Sequence, residues 1–556
     1  MFFSSLGITA ACLLAAATLV AGPEGRPSAS SKRSASYEDL ASFFREWRSF
    51  QKPKLVDGVP DYTPRAMAAQ RTELSSWQSR LAAIDPHGWP IPEQVDYQVV
   101  RAELNGLDFD HRVLKPWANN PAFYVTVFTE ESDQPAREGP SALGAVELWS
   151  YRFPLTDQHA EQMNSGLRAI PRLLTQARTN LTGNGRDMWT YGAKSIRQQS
   201  ADLAALAVQL KGGPARTSAV RELETSVAHA KQATDDLAAW LDAQAPSKTG
   251  SSGVGIVNYN WYLKNVQLVP CMWQDEVTLM ERELARSHAL LAMEEQKNAK
   301  LAPQAPIATA EEHARGFSSG VTDYMTFLRD HDILAVEDWM DSALRARTGA
   351  FRGGAREFFT EVDYRDPEVM RTHGYHWFDK GRMARQPHRS PIRREALLYN
   401  IFNTRTEGHA TGWEELMMQA GMFDARPRSR ELVYILLGER AARALGDLRM
   451  HSNDWTLEQA AAFASAETPR GWLRMDGDLV RSEQHLYLQQ PGYGTSYVIG
   501  KIEIEKLLAE RKQQQGDGFA MKAFMAEFDA AGLVPAALIR WELTGRLSDE
   551  LTRMLK

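Results

Sequence analysis

The chain is nearly without cysteine: Cys12 and Cys271 are the two it has in 556 residues. A disulfide framework and a thiolate-bound zinc ribbon are thereby excluded. The sequence also contains no Walker loop, no dinucleotide fingerprint and no HExxH, so the usual phosphate, nicotinamide and zinc-hydrolase signatures are missing. Charge of one sign is not in excess. A net charge of −6 over this length offers no strong field to nucleic acid or anionic lipid, and no nucleic-acid partner is expected. Beyond the N-terminus no apolar run approaches the ~20 residues that span a bilayer. The letters Gly316-Phe317-Ser318-Ser319-Gly320 spell a serine-hydrolase elbow, but they follow the helical EEHARGF rather than a strand and are set aside.

What is there begins with a leader. Residues 1–22, MFFSSLGITAACLLAAATLVAG, form an apolar run ending in small residues, and 23–36 have linker composition. This is a secretory signal or an N-terminal anchor, so a periplasmic or secreted location is expected, with no membrane contact beyond that anchor. Thr9-Ala10-Ala11-Cys12 is a poor lipoprotein signal, because the third residue before the cysteine is not a large aliphatic one.

Most of the remainder has apolar positions three and four apart, which predicts helices over Ala66–Ile84, His159–Arg178, Ile196–Ala243, Gln274–Asn298, Ala308–Arg329, Arg430–Met450 and Leu457–Ala466. A mainly α fold with few short strands follows. The best strand candidate is Ala122–Thr129, AFYVTVFT. The Pro/Gly/Ser-rich stretch Ala245–Gly255 then separates an N-terminal helical lobe, 37–245, from a C-terminal helical lobe, 256–556, that holds the chemistry-bearing residues.

Those residues lie between Glu368 and Glu415. His373 and His376 are three apart, which on a helix places both on one face, where two imidazoles can share a metal. Flanked by Tyr375, Trp377 and Phe378, they can equally be packed aromatic-zone histidines. Glu407, Thr411 and Glu414 share a face at spacings of four and three, and Gly408 and Gly412 allow another backbone to approach at a cost of ~1 kcal/mol each in helix stability. Downstream, His451 is read as a loop residue ahead of a helix begun by a Thr456-x-x-Gln459 capping box, a place suited to stabilising an oxyanion or moving a proton. Arg481 can take a substrate carboxylate in bidentate fashion. The five arginines of RMARQPHRSPIRR, Arg382–Arg394, read either as a solvated loop or as an attractor for a carboxylate.

The runs TEGHATGWEELMMQAGMFD, ERAARALGDLRMHSNDWTLEQAAAF and EQHLYLQQPGYGTSYVIGKIEIEKL together resemble the C-terminal half of the bacterial domain-of-unknown-function 885 (DUF885) family. That family is regarded as mainly helical and zincin-like, with peptidase activity as its expected function. The resemblance implies a large gluzincin-type helical fold around a central cleft. Its EGWALYAE-like helix matches Glu407 through Glu414 and gives Glu407 the third-ligand role. Tyr493 and Tyr497 match the family's PGQALSYKIG-like turn, with Tyr493 expected at the substrate and Tyr497 donating its hydroxyl to a tetrahedral intermediate. The family's HExxPGHH-like segment is rewritten here, and two alignments stay open. In one, His373 is the first histidine and Gly374 stands where the general base belongs. In the other, Pro367-Glu368 replaces the HE pair, Glu368 remains as base and His376 takes over for a lost ligand. Either way the implied site is zinc held by His373, His376 and Glu407, with Glu368, His451 and Tyr497 as catalytic groups. The implied function is an exported metal-dependent hydrolase of peptides or small amides. The alternative is a catalytically silent member that binds a peptide or small ligand.

Overall fold

The computed structural model describes residues 36–212, 217–399 and 401–555. The leader and all of the linker except Ser36 lie outside these residues. The described chain is mainly α-helical, with two two-stranded pairings, Leu55–Val56 with Val59–Pro60 and Val127–Phe128 with Val146–Glu147. No described helix is long and apolar enough to cross a membrane.

Helices begin where local chemistry allows. Thr63 caps a helix with Pro64 at its first position, and Thr456 and Gln459 form the reciprocal capping box that opens Leu457–Glu467. The long periodic stretch 196–243 is two helices, Arg186–Lys211 and Ser218–Gln244. The first ends at its cap Gly212, and the Gly-Gly-Pro of the sequence from that point is a run that no helix interior tolerates cheaply. The expected strand at Ala122–Thr129 is mostly not one. Pro121–Tyr124 is a 3-10 turn and only Val127–Phe128 pairs. Buried Gln199 explains the curtailment, since its Oε1 accepts from the amides of both Thr126 (2.7 Å) and Val127 (3.1 Å) in place of a ladder partner.

The hydrophobic packing groups the chain differently from its linkers. One large core joins Leu40–Phe109 to Tyr259–Met554, while a second core is built from Val59–Met67 and Phe123–Leu241. The first hundred residues thus pack with the C-terminal helices as well as with their own lobe, because the apolar faces of Tyr37–Phe50 and Ile91–Phe109 turn towards them. At the centre of the larger core lie Asn403–Gln419 and Arg428–His451, buried on nearly all sides. Helices so enclosed can carry charge only where it is paired. The close crossing of Asn403–Gln419 with Tyr493–Gln515 fixes everything that follows. A Cβ on Gly408 would lie 2.3 Å from Gly500 Cα, and one on Gly500 would lie 2.1 Å from the Thr404 carbonyl oxygen. Glycine is required at both positions for the two backbones to touch.

Candidate metal centre

Three short steps of chain bring the ligands together. Asp366 caps the helix Pro367–His373, accepting from the Glu368 amide at 3.0 Å, with Pro367 in the first position. Pro367 is thus a helix starter. The chain bends at Gly374 and resumes as Tyr375–Arg385, which carries His376. Asn403–Gln419 supplies Glu407. One donor atom from each of His373, His376 and Glu407 lies within 4.8 Å of the others. Glu407 Oε2 is 3.4 Å from His376 Nε2 and 3.9 Å from His373 Nε2. Donors ~2.1 Å from a tetrahedral zinc sit roughly 3.3 Å apart, so the spacing is close to what the ion needs.

The surroundings prepare these atoms further. His373 Nδ1 faces Glu414 Oε1 at 2.9 Å, and Glu414 is held by both arms of Arg440, at 2.7 and 2.8 Å. Arg440 Nη2 also lies 3.2 Å from His373 Nδ1, and with Nδ1 engaged by this pair the other ring nitrogen is turned towards Glu407, as in carboxylate–histidine metal sites. Tyr493 donates to Glu407 Oε1 at 2.6 Å and Gln134 donates to the same oxygen at 2.7 Å. Glu407 Oε2 and His376 Nε2 are left buried with no hydrogen-bond partner. Two orphaned donors facing one point are costly unless a cation or water completes them. Without an ion the two atoms form a buried ion pair, and a metal would have to displace the proton on His376. Burial opposes charge on His376, yet the carboxylates of Asp133 and Glu407 raise its pKa to about 9; Glu407, despite burial, is drawn down to about 2 by His376, His373 and Tyr493. Burial and the Arg440 guanidinium push His373 down, keeping it neutral.

The other expected catalytic groups are placed differently. Glu368 is buried in an ion pair with Arg426. His451 is the last residue of the helix Arg428–His451, not a loop residue, and it is fully buried. Its Nδ1 accepts from the Val254 amide at 3.3 Å and its Nε2 donates to the Tyr487 carbonyl at 3.1 Å. With both nitrogens committed to backbone and burial lowering its pKa to about 4, His451 ties helices together and has nothing left to offer a substrate. Arg481 spends its guanidinium on Glu458, at 2.8 and 3.0 Å, and on the Met475 carbonyl. Tyr497 is half-buried in the second turn of Tyr493–Gln515, its ring 5.9 Å from that of Tyr493 and close to Arg440 and Arg443. Glu415 pairs with Arg286 and Lys501. In the basic stretch, Arg382 pairs with Asp529 at 2.8 Å, and Arg393 pairs with Asp96 and Glu542. Those two arginines brace the fold and do not wait for a ligand.

Three participants escaped the sequence reading. Gln134, 2% exposed, bonds to Glu407 and accepts from Thr406 Oγ1 at 2.7 Å. Asp133 and Glu138 flank it, and their charges act on His376 and Glu407. All three stand in EESDQPAREG, an acidic loop far in sequence from the ligands and with nothing in its residue types to mark a site.

A mainly helical body with a buried two-histidine, one-glutamate cluster is thus the class of protein the fold and site define. The chain belongs to the family described as "Bacterial protein of unknown function (DUF885)", whose model matches residues 50–400 and 374–543. No curated protein matches. Two solved structures share the fold: a "putative lipoprotein of unknown function" from Shewanella oneidensis and a "putative lipoprotein" from Colwellia psychrerythraea. Each has a TM-score of 0.66 at 15% identity over 92% of this chain, covering 100% and 99% of those chains respectively.

Proposed function

We propose that His373, His376 and Glu407 hold a divalent metal ion, zinc by the preference of that ion for imidazole and carboxylate donors, and that the protein is an exported hydrolase of peptides or small amides. The observation that carries this reading is the convergence of His373, His376 and Glu407, with His376 Nε2 and Glu407 Oε2 buried 3.4 Å apart and neither in a regular hydrogen bond. Zinc in such a site supplies a nucleophilic water near neutral pH and polarises a carbonyl. The chain's own residues do the rest. Glu414 and Arg440 hold His373 in its ligating orientation, and Tyr493 keeps Glu407 turned. Tyr497, whose ring lies beside that of Tyr493, would offer its hydroxyl to a developing oxyanion. Gly374 follows His373 and Glu368 is engaged by Arg426, so neither position that the family pattern offers for a general base supplies one in this arrangement. The apolar leader, and the lipoprotein descriptions of the two similar structures, support export.

The commitment of Glu368 and His451 to structural bonds favours a second reading, a silent member that binds amides without cutting them. Metal analysis of the purified protein and of His373→Ala and Glu407→Ala separates the two. Stoichiometric zinc in the wild type that disappears in both variants, with peptide hydrolysis lost alongside it, is the expected result. A metal-free wild type that still binds peptides overturns the hydrolase.

A further inference from the structure

The loop that joins Val127–Phe128 to Val146–Glu147 leaves the N-terminal helices and lies across the metal centre. Its two ends are firmly tied. Gln199 holds the amides of Thr126 and Val127, the Val146 amide donates to the Thr126 carbonyl at 2.7 Å, and the amides of Ala142 and Leu143 donate to the Phe123 carbonyl and the Tyr62 hydroxyl at 2.7 and 2.9 Å. Its middle is held otherwise. From Thr129 to Ser141 the sequence is TEESDQPAREGPS, with nothing apolar apart from Pro135, Ala136 and Pro140. No apolar side chain in this stretch is fully buried, and the attachments to the C-terminal helices are mostly polar. Glu131 pairs with Lys380 at 2.7 Å and with Arg347 at 2.6 Å. Gln134 reaches past them and presents its carboxamide to Glu407 and Thr406. Gly139 and Gly144 take φ of +79° and +104°, so the chain turns there in conformations open to glycine.

We propose that residues 130–141 form a gate over the ligand cluster, with Gln134 as a stopper that occupies the place of a substrate amide and Glu131 as the latch. The proposal rests on reading the cluster as the working site. Burial makes a gate necessary: His376 is 2% exposed and Glu407 3%, so a ligand cannot reach their free atoms while Gln134 lies there. A segment held mainly by ion pairs and one carboxamide, with the half-buried Ala136 as its apolar contact to the core, is the kind that opens locally at low cost. The stopper also names the ligand. A primary carboxamide sits with its NH2 on a carboxylate and its oxygen on a hydroxyl, and an amide substrate entering the same seat exchanges one set of hydrogen bonds for an equivalent one.

The test is thiol labelling of the full chain with a maleimide, with Thr406→Cys as the probe in a Cys12→Ser, Cys271→Ser background. Thr406 is buried beneath Gln134, so the introduced thiol reacts only when the gate is open. Adding Glu131→Ala is expected to speed labelling about tenfold, the effect of ~1.4 kcal/mol on the open population. Arg347→Ala, remote from the ligands, should act in the same direction. Equal labelling rates in all backgrounds, with unchanged circular dichroism, overturn the gate. Binding of Zn2+ alone, measured on the protein without the Thr406 substitution, keeps the two ideas apart. Accelerated labelling without zinc binding removes the metal and leaves the gate, whereas zinc binding with unchanged labelling removes the gate and leaves the metal.

Discussion

Two groups of buried histidines in the C-terminal helices have opposite fates. His376, with His373, faces a carboxylate and keeps its Nε2 free. His451 also has an acidic neighbour, Asp447 at 3.6 Å, but both of its nitrogens are bonded to backbone. His409 adds a third case. Both of its nitrogens are unpartnered, yet Tyr375, Trp413 and Phe528 surround the ring, and burial with Arg405 and Arg382 pushes its pKa well down. Neither burial nor an unsatisfied nitrogen is therefore enough to mark a ligand. What distinguishes His373 and His376 is convergence, with several unspent donors aimed at one point and their outer atoms fixed by other groups.

The comparison can be broken at either end. The largest effect is expected at the structural histidine. His451→Ala leaves the Val254 amide and the Tyr487 carbonyl unpaired inside the core and should cost about 3 kcal/mol in urea denaturation while leaving zinc content unchanged. The same residue predicts a pH effect. Its folded pKa, about 4, lies below the unfolded value of ~6.5, so the unfolded chain binds the extra proton. The stability His451 contributes is complete above pH ~6.5 and is lost as pH falls through 4, at up to about 1.4 kcal/mol per unit. A variant lacking it should show a shallower acid slope, and an unchanged slope would contradict the assignment. At the ligating pair the expected loss is in affinity. Glu414→Gln removes the charge that orients His373 and should weaken zinc binding about 10–100-fold in a competition titration, with a lower melting temperature as well because buried Arg440 loses its paired charge. The smallest effect is expected at Arg481, whose pairing with the half-exposed Glu458 limits the cost of Arg481→Ala to about 0.5 kcal/mol, with zinc content unaffected.

Much of the candidate site was legible before the structure. His373 and His376 were visible as a close pair, and Glu407 within a glycine-bearing helix, but the two histidines do not share a helix face: Pro367–His373 ends at the first and Tyr375–Arg385 carries the second, and the bend at Gly374 brings them together. Gly408 was legible as a close-approach position and proves to be one, against Gly500. His451 was misplaced because the helix runs on to it, past the point where the apolar periodicity was expected to end. Arg481 and the arginines of the 382–394 stretch looked available because their partners, Glu458, Asp529, Asp96 and Glu542, are distant in sequence. Gln134 could not be found at all, since a neutral amide in an acidic loop has no periodicity and no motif.

The sequence by itself determined the helical class, the bounds of most of the helices it predicted and the family resemblance that singles out Glu407, because caps, glycines and periodic apolar positions act over a few residues. Only the tertiary structure decided which titratable groups are spent and which are free. That choice depends on burial and on partners tens to hundreds of positions away: Gln134 above Glu407, Val254 against His451, Arg426 on Glu368. A hydrogen bond or an ion pair is made in space, and a sequence records its donors without recording where they meet.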